Sequence, residues 1–378
     1  MHNMDKGLVT GAVYLDLKKA FDTVDVATLL YKLKCLGLKN VELNWFTNYL
    51  NERSQCVHHG ESSSAYLQIS SGVPQGSILG PILFTLYIND LPSVVNYSKV
   101  VLYADDTVLL CSSNDIKEIE ANMSKDLENA ANWFYKNKLH LNVTKCKWTL
   151  FGTTKRLKKV VLPEIKISNK PVEHVTSYKY LGLYFDAQLN WKTQIEYLEK
   201  KLRQRLGVLK RIRSLIDQET ALLLYNSLIM PIIDYCDTVY LNCPVTYLNR
   251  IQRLMLRGGR IILKVPFDYP SNDVLKKLKW LSLHERLFFH TCCLMFKCMN
   301  ANCPKYMSSM FHYINHVYNT RNSRNLKIGK YRTSKGQSSF ACKGAKAWNS
   351  LPTVIRSSSS QDSFKHNILK FILTRRTL

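Results

Sequence analysis

Two adjacent carboxylates, Asp105 and Asp106, stand between apolar, β-branched segments in VVLYADDTVLL at residues 100–110, which predicts a hairpin with the aspartates at its tip. A third carboxylate, Asp16, lies at the end of LVTGAVYLDL, which predicts a buried strand over residues 8–17. If these elements are neighbours in one sheet, the three carboxylates converge, and their repulsion requires cations. Two Mg²⁺ ions would neutralise them and would suit in-line phosphoryl displacement. The alternative is an ordinary Asp-Asp turn, with Asp16 capping a helix.

The elements that would position these carboxylates predict an α+β domain followed by a basic helical region. Periodicity and stop signals predict helices over 25–36 and about 40–51, and a largely buried helix at GSILGPILFTLYINDLP. The remaining predictions for the first half are strands near SQCVHH and AYLQIS, a helix at KEIEANMSKDLENAANWFYKNK, a strand at LHLNVTKCKWTLFG, and hairpins at PEIKISNKPVEHV and YKYLGLYFD. Beyond residue 191 the pattern predicts helices, then polar loops over 315–345 and a capped C-terminal helix after a serine-rich linker.

Positive charge is concentrated in the second part of the chain. Residues 1–150 hold 14 Lys/Arg and 15 Asp/Glu, whereas residues 151–378 hold 39 Lys/Arg and 13 Asp/Glu, so the net charge of +25 arises after residue 150. A field of this sign favours a polyanion, and nucleic acid is the first candidate. An acidic membrane surface is the alternative, but the charge is spread along the chain and not gathered on one amphipathic helix.

Several classes of protein are excluded by composition. No apolar run reaches about 18 residues, so we expect no transmembrane helix, and the N-terminus lacks the pattern of a signal peptide. The 11 cysteines are scattered and odd in number, which favours reduced thiols over a disulfide framework. The cluster HTCCLMFKCMNANC matches no common zinc spacing, and we interpret it as a buried helix and a turn.

The order of five segments resembles the reverse transcriptases of non-LTR (LINE-like) retrotransposons, especially the jockey and CR1-like groups. VYLDLKKAFDTVD is similar to motif A of that family, SGVPQGSILGPILFTLYINDLP to motif B and LYADDTVLL to motif C. LHLNVTKCKWTLFG is similar to motif D and YKYLGLYFD to motif E. The tail GAKAWNSLPTVIRSSSSQDSFKHNILKFIL resembles the C-terminal end of the second open reading frame of these elements.

The resemblance implies roles for the residues in motifs A and C. Asp16, Asp105 and Asp106 would be the catalytic, metal-binding aspartates, and the backbone carbonyl of Leu17 would help to hold one metal. The cofactor would be two Mg²⁺ ions, with Mn²⁺ as a possible substitute. Phe21 stands where the family places an aromatic steric gate that excludes a 2′-hydroxyl group. The alternative for Phe21 is an ordinary core side chain.

The other motifs imply further contacts. Gln75 and Gly76 would contact the incoming nucleotide and the template. Lys145 of motif D would be the general acid that protonates the pyrophosphate leaving group, with Lys147 as the alternative. Tyr180, Leu181 and Gly182 would form the primer grip, a tight hairpin supporting the 3′ end of the primer.

The helix over 193–213 would be the thumb, and its basic residues would contact the phosphate backbone of the template–primer duplex without reading its sequence. These residues are Lys200, Lys201, Arg203, Arg205, Lys210, Arg211 and Arg213. Their alternative is a solvated helix face.

The expected fold class is therefore α+β, with a right-hand polymerase palm built from an antiparallel sheet with helices on one face, followed by a helical thumb. The predicted domains are a palm with motifs A to E over 1–190, a thumb over 191–262 and a basic C-terminal region over 263–378. The resemblance implies fingers strands and an endonuclease domain upstream of Met1, so we expect an N-terminally truncated chain. Only Asp362 is acidic in residues 301–378, which argues against a ribonuclease H domain there.

Two functions follow from these expectations. The first is RNA-directed DNA polymerisation, with element RNA as template, a DNA primer and deoxynucleoside triphosphates, and with no membrane partner. The second is nucleic-acid binding by a catalytically inactive remnant of such an element. Group II intron and telomerase-type enzymes share the aspartate triad, but the wording of motif B and the tail favour the retrotransposon family. The expected location is intracellular, in the nucleus or in a cytoplasmic ribonucleoprotein.

Overall fold

The computed structural model describes residues 1–240, 243–314 and 325–375. The strands are β1 (Val9–Leu15), β2 (Arg53–Gln55), β3 (His58–His59), β4 (Ser62–Ser63), β5 (Leu67–Ile69), β6 (Lys99–Tyr103), β7 (Asp106–Ser113), β8 (Lys147–Phe151), β9 (Lys166–Ile167), β10 (Lys170–Pro171), β11 (Glu173–His174), β12 (Ser177–Tyr180) and β13 (Leu183–Asp186). The α-helices up to residue 240 are α1 (His2–Asp5), α2 (Val26–Cys35), α3 (Asn40–Leu50), α4 (Leu79–Ile88), α5 (Ile116–Lys136), α6 (Thr154–Leu157), α7 (Lys192–Ile212), α8 (Gln218–Leu228), α9 (Met230–Asp234) and α10 (Asp237–Tyr240). The later α-helices are α11 (Val245–Leu263), α12 (Ser271–Lys277), α13 (Leu283–Met299), α14 (Lys305–Ser308), α15 (Ser334–Gln337), α16 (Phe340–Asn349), α17 (Thr353–Arg356) and α18 (Gln361–Thr374).

The chain divides into two compact units, one formed by Gly7–Tyr178 and the other by Met1–Lys6 with Lys179–Leu378. We call the first the sheet unit and the second the helical unit. The domain limits expected at 190 and 262 remain predictions, although the compact units divide within β12 and α11 continues past residue 262.

The sheet unit is built on a five-stranded sheet with the order β11-β8-β1-β7-β6, in which only the β11–β8 pair is parallel. β1 is central because its side chains are apolar on both faces, as expected for a strand covered on two sides. Gly11 of β1 allows α5 to approach closely, since a Cβ built there would lie 3.0 Å from Ile119 and 3.3 Å from Met123. The core of the unit therefore lies between the sheet and helices that include α5.

The helical unit has two apolar clusters. The first surrounds α7, α8 and α11, whose leucine and isoleucine stripes pack with Trp280 and Tyr225. The second surrounds α13, α16 and α18, where Phe364 stacks on Phe296 with ring centroids 4.4 Å apart. The N-terminal segment joins this unit because the buried Asp5 carboxylate accepts hydrogen bonds from the backbone and hydroxyl groups of Thr333.

The predicted α+β class is confirmed, and the long helices lie where their periodicity placed them. The expectation of loops over 315–345 agrees with residues 325–333, which lie in no helix or named strand, but it is wrong from residue 334 onward, where α15 and α16 lie. The reason is a buried stripe of Cys342, Ala345 and Trp348 at three-residue spacing, of which Ala345 and Trp348 belong to the second apolar cluster. Residues 315–324 lie outside the described part of the chain. No helix in the described ranges is long and apolar enough to cross a bilayer.

Candidate active site and nucleic-acid interface

The hairpin of β6 and β7 presents Asp105 and Asp106 at its tip, as the sequence predicted. Tyr103 pairs with Asp106 across the strands, so Ala104 and Asp105 form a two-residue turn. Ala104 has a φ of 50°, a left-handed conformation that is unfavourable for a residue with a Cβ. Both aspartate residues are exposed, so the turn holds two adjacent carboxylates toward solvent.

Asp16 lies next to this hairpin because β1 pairs with β7. The last residue pair between β1 and β7 is Leu15 with Thr107. Because the strands are antiparallel, Asp16, which follows Leu15, is the neighbour of Asp106, which precedes Thr107. Side chains alternate between the two faces of a strand, and Leu109 and Cys111 of β7 belong to the core cluster. Asp106 therefore projects on the opposite face, which it shares with Asp16. The sheet thus brings together the three carboxylates that the sequence selected.

The electrostatics of the three aspartates indicate an unneutralised cluster. Partial burial raises the pKa of the Asp106 carboxyl group, and the negative charges of Asp105 and Asp16 raise it further. Within the described residues no Lys or Arg side chain forms an ion pair with any of the three. Carboxylate oxygens without a protein cation are the ligands that divalent ions such as Mg²⁺ prefer, so these residues fit a divalent metal site.

A turn over residues 140–146 supports Asp16 from the other side. The backbone amide of Asn142 donates to the carbonyl of Asp16 at 2.8 Å, and the amide of Asp16 contacts the Cys146 sulfur at 3.4 Å. Leu17 is buried and forms an isolated β-bridge with Leu141. The carbonyl oxygen of Leu17 accepts neither of the two backbone hydrogen bonds on either side of this bridge.

The structure distinguishes the two candidate lysines of motif D. Lys145 is exposed in this turn, next to Cys146, and its ammonium group has no hydrogen bond or ion pair to the described residues. The Lys147 ammonium instead pairs with Glu173 at 2.5 Å. Lys145 therefore keeps a free ammonium group beside the turn that holds Asp16.

Motif B is attached to motif A by backbone contacts. Gly72 has a φ of 88°, and a Cβ there would lie 2.8 Å from the backbone of Asp22, so only glycine fits. The Gln75 side chain donates to the Asp22 carboxylate at 2.7 Å, while Gln75 and Gly76 are both exposed. Phe21 is half-buried and stacks on Phe84 with ring centroids 4.6 Å apart. One part of the Phe21 ring thus belongs to the core, and the rest remains accessible.

The predicted primer-grip residues lie at the turn of the β12–β13 hairpin, which Leu181 and Gly182 form. Leu181 and Gly182 have φ values of 45° and 81°, which indicates a type I′ turn, the preferred two-residue connection between twisted strands. The Tyr235 hydroxyl donates to the Leu181 carbonyl at 2.8 Å, and its ring lies 3.0 Å from where a Cβ of Gly182 would be. Tyr180 precedes the turn and is half-buried.

A cluster of lysines and tyrosines lies next to this hairpin. The ammonium groups of Lys179 and Lys201 lie 5.2 and 4.7 Å from the centroid of the Tyr197 ring. A hydrogen bond with Lys201 lowers the pKa of the Tyr197 hydroxyl, and Lys179 adds to this effect against a smaller opposing effect of burial. The cluster joins the motif E hairpin to the first turns of α7 and carries two positive charges at the surface.

The basic residues predicted on α7 are exposed with one exception. Lys200, Lys201, Arg203, Arg205, Lys210 and Arg211 are all exposed, so their side chains are available to a polyanion. Arg213 is only 7 % exposed, and its guanidinium group donates to the carbonyls of Ile262 and Ile216. Arg213 therefore joins the end of α7 to the end of α11 and does not form part of the exposed basic surface.

Sequence reasoning missed a second row of arginines, on α11. Arg250, Arg253, Arg257 and Arg260 are spaced by three, four and three residues, which places them on one face of the helix. The spacing of these arginines can be read from the sequence alone and predicts a basic helix face. The isoleucines, leucines and glycines between them make the pattern hard to recognise.

A group of possible metal ligands also lies in the helical unit. Oxygen or nitrogen atoms of Asp234, Asp237 and His290 lie within 4.8 Å of one another. The Arg286 guanidinium occupies both oxygens of Asp234 at 2.5 Å, and His290 contacts Asp237 at 2.5 Å. Because protein groups already pair with both carboxylates, this group lacks the unneutralised charge of the Asp16, Asp105 and Asp106 cluster.

Residues 2–185 match the family described as reverse transcriptase (RNA-dependent DNA polymerase). These residues therefore form a reverse transcriptase domain, which confirms the predicted family and supports the predicted palm fold. Reverse transcriptases generally use divalent metal ions, in agreement with the carboxylate cluster.

The chain is similar to RNA-directed DNA polymerases of insect mobile elements, which confirms the predicted resemblance to the jockey group. It is 27% identical over 293 residues to that of mobile element jockey from Drosophila melanogaster, covering 75% of this chain and 31% of the relative. It is 28% identical to the probable RNA-directed DNA polymerase of transposon BS from the same species, covering 74% of this chain and 32% of the relative. The chain thus spans about a third of the length of these relatives.

Among solved structures, the chain is similar to telomerases. Telomerase from Candida tropicalis, in complex with a TWJ fragment of telomeric RNA, is 13% identical with a TM-score of 0.34, covering 72% of this chain and 49% of that one. Telomerase from Candida albicans, in complex with the same type of fragment, is 12% identical with a TM-score of 0.32, covering 80% and 50%.

Proposed function

We propose that this chain is the polymerase part of a non-LTR retrotransposon and adds deoxynucleotides to the 3′-hydroxyl of a DNA primer on an RNA template. The observation that carries the proposal is that Asp16 and Asp106 share one face of the sheet with Asp105 beside them in the turn, without a cationic partner among the described residues, in a reverse transcriptase domain. Such a cluster is destabilising by itself and becomes favourable when divalent cations bind.

In this proposal Asp16, Asp105 and Asp106 would hold two Mg²⁺ ions, for which Mn²⁺ could substitute, and the Leu17 carbonyl would help to hold one of them. When bound, the ions would stabilise the attacking and leaving oxygens of the displacement. The exposed Lys145 ammonium donates a proton to the departing pyrophosphate.

In this proposal residues of motifs A and B bind the incoming nucleotide. The accessible edge of Phe21 lies under the sugar of the incoming nucleotide, and its stacking on Phe84 keeps the ring from moving aside. Gln75 and Gly76 contact the base pair being formed, with Gln75 oriented by its hydrogen bond to Asp22.

The helical unit binds the nucleic acid in this proposal. The turn of Tyr180, Leu181 and Gly182 supports the primer terminus, held by Tyr235. The exposed basic residues of α7 contact the phosphates of the template–primer duplex. The proposed location is the nucleus or a cytoplasmic ribonucleoprotein, where element RNA is present.

Primer extension by the full chain on an RNA template, with a DNA primer, deoxynucleoside triphosphates and Mg²⁺, tests the proposal. Asp105→Asn is the matched variant because it keeps the size of the side chain and removes one negative charge. We expect incorporation by the native chain and a loss of roughly a thousandfold in the variant, since metal ions contribute several kcal/mol to such reactions. Equal incorporation by the two chains would contradict the proposal.

A second candidate function is nucleic-acid binding without catalysis. The charge of the helical unit favours it, since that unit carries 34 Lys/Arg and 12 Asp/Glu. Fluorescence anisotropy with a labelled RNA–DNA duplex tests this function separately from polymerisation. We expect affinity to fall steeply with salt, because phosphate contacts release counterions.

A further inference from the structure

A groove of about 570 Å³ lies between α7 and α11 in the helical unit, and of its lining residues only Arg203 is also among those assigned to the duplex. Five arginines line it, together with a single acidic side chain, Glu199. The arginines are Arg203 of α7 and Arg250, Arg253, Arg257 and Arg260 of α11. The groove wall therefore has an excess of four positive charges.

Two of these arginines already have protein partners and shape the wall. Arg250 makes a two-pronged contact with the Glu199 carboxylate at 2.8 and 2.5 Å. Arg260 donates to the carbonyl of Tyr269 and to the hydroxyl of Ser271. These bonds fix α7 and the segment before α12 against α11, so the groove is formed before any ligand binds.

The other three arginines have no such partner. Arg203, Arg253 and Arg257 are exposed and form no hydrogen bond or ion pair with the described residues. Arg253 and Arg257 are one helical turn apart, so their guanidinium groups follow one another along the groove. A protein surface that aligns unpaired guanidinium groups in a concave site suits phosphates, which accept their planar pairs of hydrogen bonds.

An aromatic ring lies at the same groove. Phe267 lines it and is 80% exposed, with the Arg260 guanidinium 5.7 Å from its ring centroid. An exposed phenylalanine beside arginines offers a stacking surface for a base, and such stacking is tolerant of sequence. A double helix keeps its bases inside and offers no base face to this ring, whereas a single strand does.

We propose that the groove between α7 and α11 binds a single-stranded nucleic acid, with phosphates on Arg203, Arg253 and Arg257 and a base stacked on Phe267. An acidic peptide would satisfy the arginines but would leave the exposed ring without a partner, so the observations favour a nucleic-acid strand. Apart from Arg203, which also belongs to the exposed basic residues of α7, the site is additional to the duplex contacts of the proposed polymerase, and it does not depend on catalysis.

Fluorescence anisotropy of the full chain with labelled oligo-uridine and oligo-thymidine, without Mg²⁺ or nucleotides, tests the proposal. Removal of two phosphate contacts should lower the slope of log affinity against log salt by about 1.4, since each contributes roughly 0.7 on a single strand. We therefore expect Arg253→Ala/Arg257→Ala to bind the single strand roughly twentyfold more weakly at 0.1 M salt. Phe267→Ala should weaken it about five- to tenfold through lost stacking.

The matched control is Lys200→Ala/Arg211→Ala, which removes the same charge from exposed positions of α7 that do not line the groove. It should weaken binding of an RNA–DNA duplex more than binding of the single strand, whereas the groove variant should do the reverse. Comparison of the two oligonucleotides identifies whether RNA or DNA is the preferred strand. Thermal unfolding checks that each variant folds, and Arg253→Lys/Arg257→Lys provides a second test that keeps the charge and should retain most of the affinity.

Three results would overturn the proposal. One is equal loss of single-strand affinity in the groove variant and the α7 control. Another is an unchanged affinity of Phe267→Ala, since a base would then not stack there. The third is displacement of the oligonucleotide by poly-glutamate at the charge concentration at which poly-uridine displaces it. Failure of primer extension leaves all three measurements intact, because they use no catalytic step.

Discussion

The two units of the chain use charge in opposite ways. The sheet unit holds 19 Lys/Arg and 16 Asp/Glu, a net charge of +3, and places three carboxylates at one point of a nearly neutral surface. The helical unit has a net charge of +22, from 34 Lys/Arg and 12 Asp/Glu, spread over many helix faces. A concentrated negative site requires a few cations at fixed positions, whereas a distributed positive surface suits a long polyanion.

The difference predicts different responses to substitution. In the sheet unit, substitution of a single side chain at the proposed catalytic site should remove most of the rate of nucleotide addition. In the helical unit each charge should make a small and additive contribution to binding, because phosphate contacts position a nucleic acid without selecting one residue.

The sharpest test in the sheet unit compares two lysines two positions apart. Lys145→Ala should lower the single-turnover rate of nucleotide addition roughly a hundredfold, the lower end of what a general acid supplies. Lys147→Ala should change that rate less than about twofold, because the Lys147 ammonium pairs with Glu173. Rapid-quench primer extension measures both rates. Similar losses in both variants would show that motif D contributes charge and not a proton.

The stability of the helical unit should also depend on a single residue, Gly258 of the Gly258–Gly259 pair in α11. A Cβ at Gly258 would lie 2.3 Å from the ring of the buried Tyr225, so Gly258→Ala should cost about 1–3 kcal/mol of unfolding free energy. Gly207→Ala on α7 is the matched control, since a Cβ there meets nothing within 4 Å. It should gain about 0.8–1 kcal/mol from helix propensity. Urea denaturation distinguishes these opposite signs.

Distributed binding predicts graded effects on α7. Removal of Lys200, Arg205 and Arg211 one at a time, each to Gln, should lower the salt slope of duplex binding by about 0.9 per contact. Effects should add in the double and triple variants, because separate phosphate contacts do not share a partner. Anisotropy titrations at several salt concentrations measure the slopes. A near-complete loss of duplex affinity in any one of the single variants would contradict additive binding and so the proposed contrast between the two units.

The smallest effect concerns the cap of α2. Burial opposes ionisation of Asp25, but hydrogen bonds from Lys138 and Thr28 outweigh it and lower the pKa of the carboxyl group. Its stabilising contribution is therefore present above the unfolded pKa of about 3.9 and is lost as pH falls through the lower folded value. Asp25→Ala should cost about 1 kcal/mol at pH 7 and less near pH 3.

Asp25→Asn serves as the control for this prediction. It keeps the helix cap, since Asn caps as well as Asp, and removes only the charge that pairs with Lys138. Chemical denaturation at the two pH values measures all three chains. A cost of Asp25→Ala that does not change with pH would show that the cap, and not the charge, carries the stability.

The sequence predicted most elements of the sheet unit because their local signals were strong. Alternation and β-branching located β1, β6 and β7, and the prolines and glycines around α4 marked its limits. It failed for α16, where small residues in a polar context hide a buried stripe. Gly258 and Gly259, which in sequence are breakers of a helix, lie within α11 because a side chain there would meet Tyr225 or Val274.

By itself the sequence determined the residue types of the site, their order and their family, since five short motifs fix the chemistry that each segment can perform. Only the tertiary structure decided which side chains face which partner. It placed Asp16 beside Asp106 through strand register, paired Lys147 with Glu173 and buried Arg213 against Ile262. It also aligned Arg203 of α7 and four arginines of α11 along one groove. The physical reason is that a side chain's availability depends on neighbours that are distant in the chain, and local sequence carries no record of them.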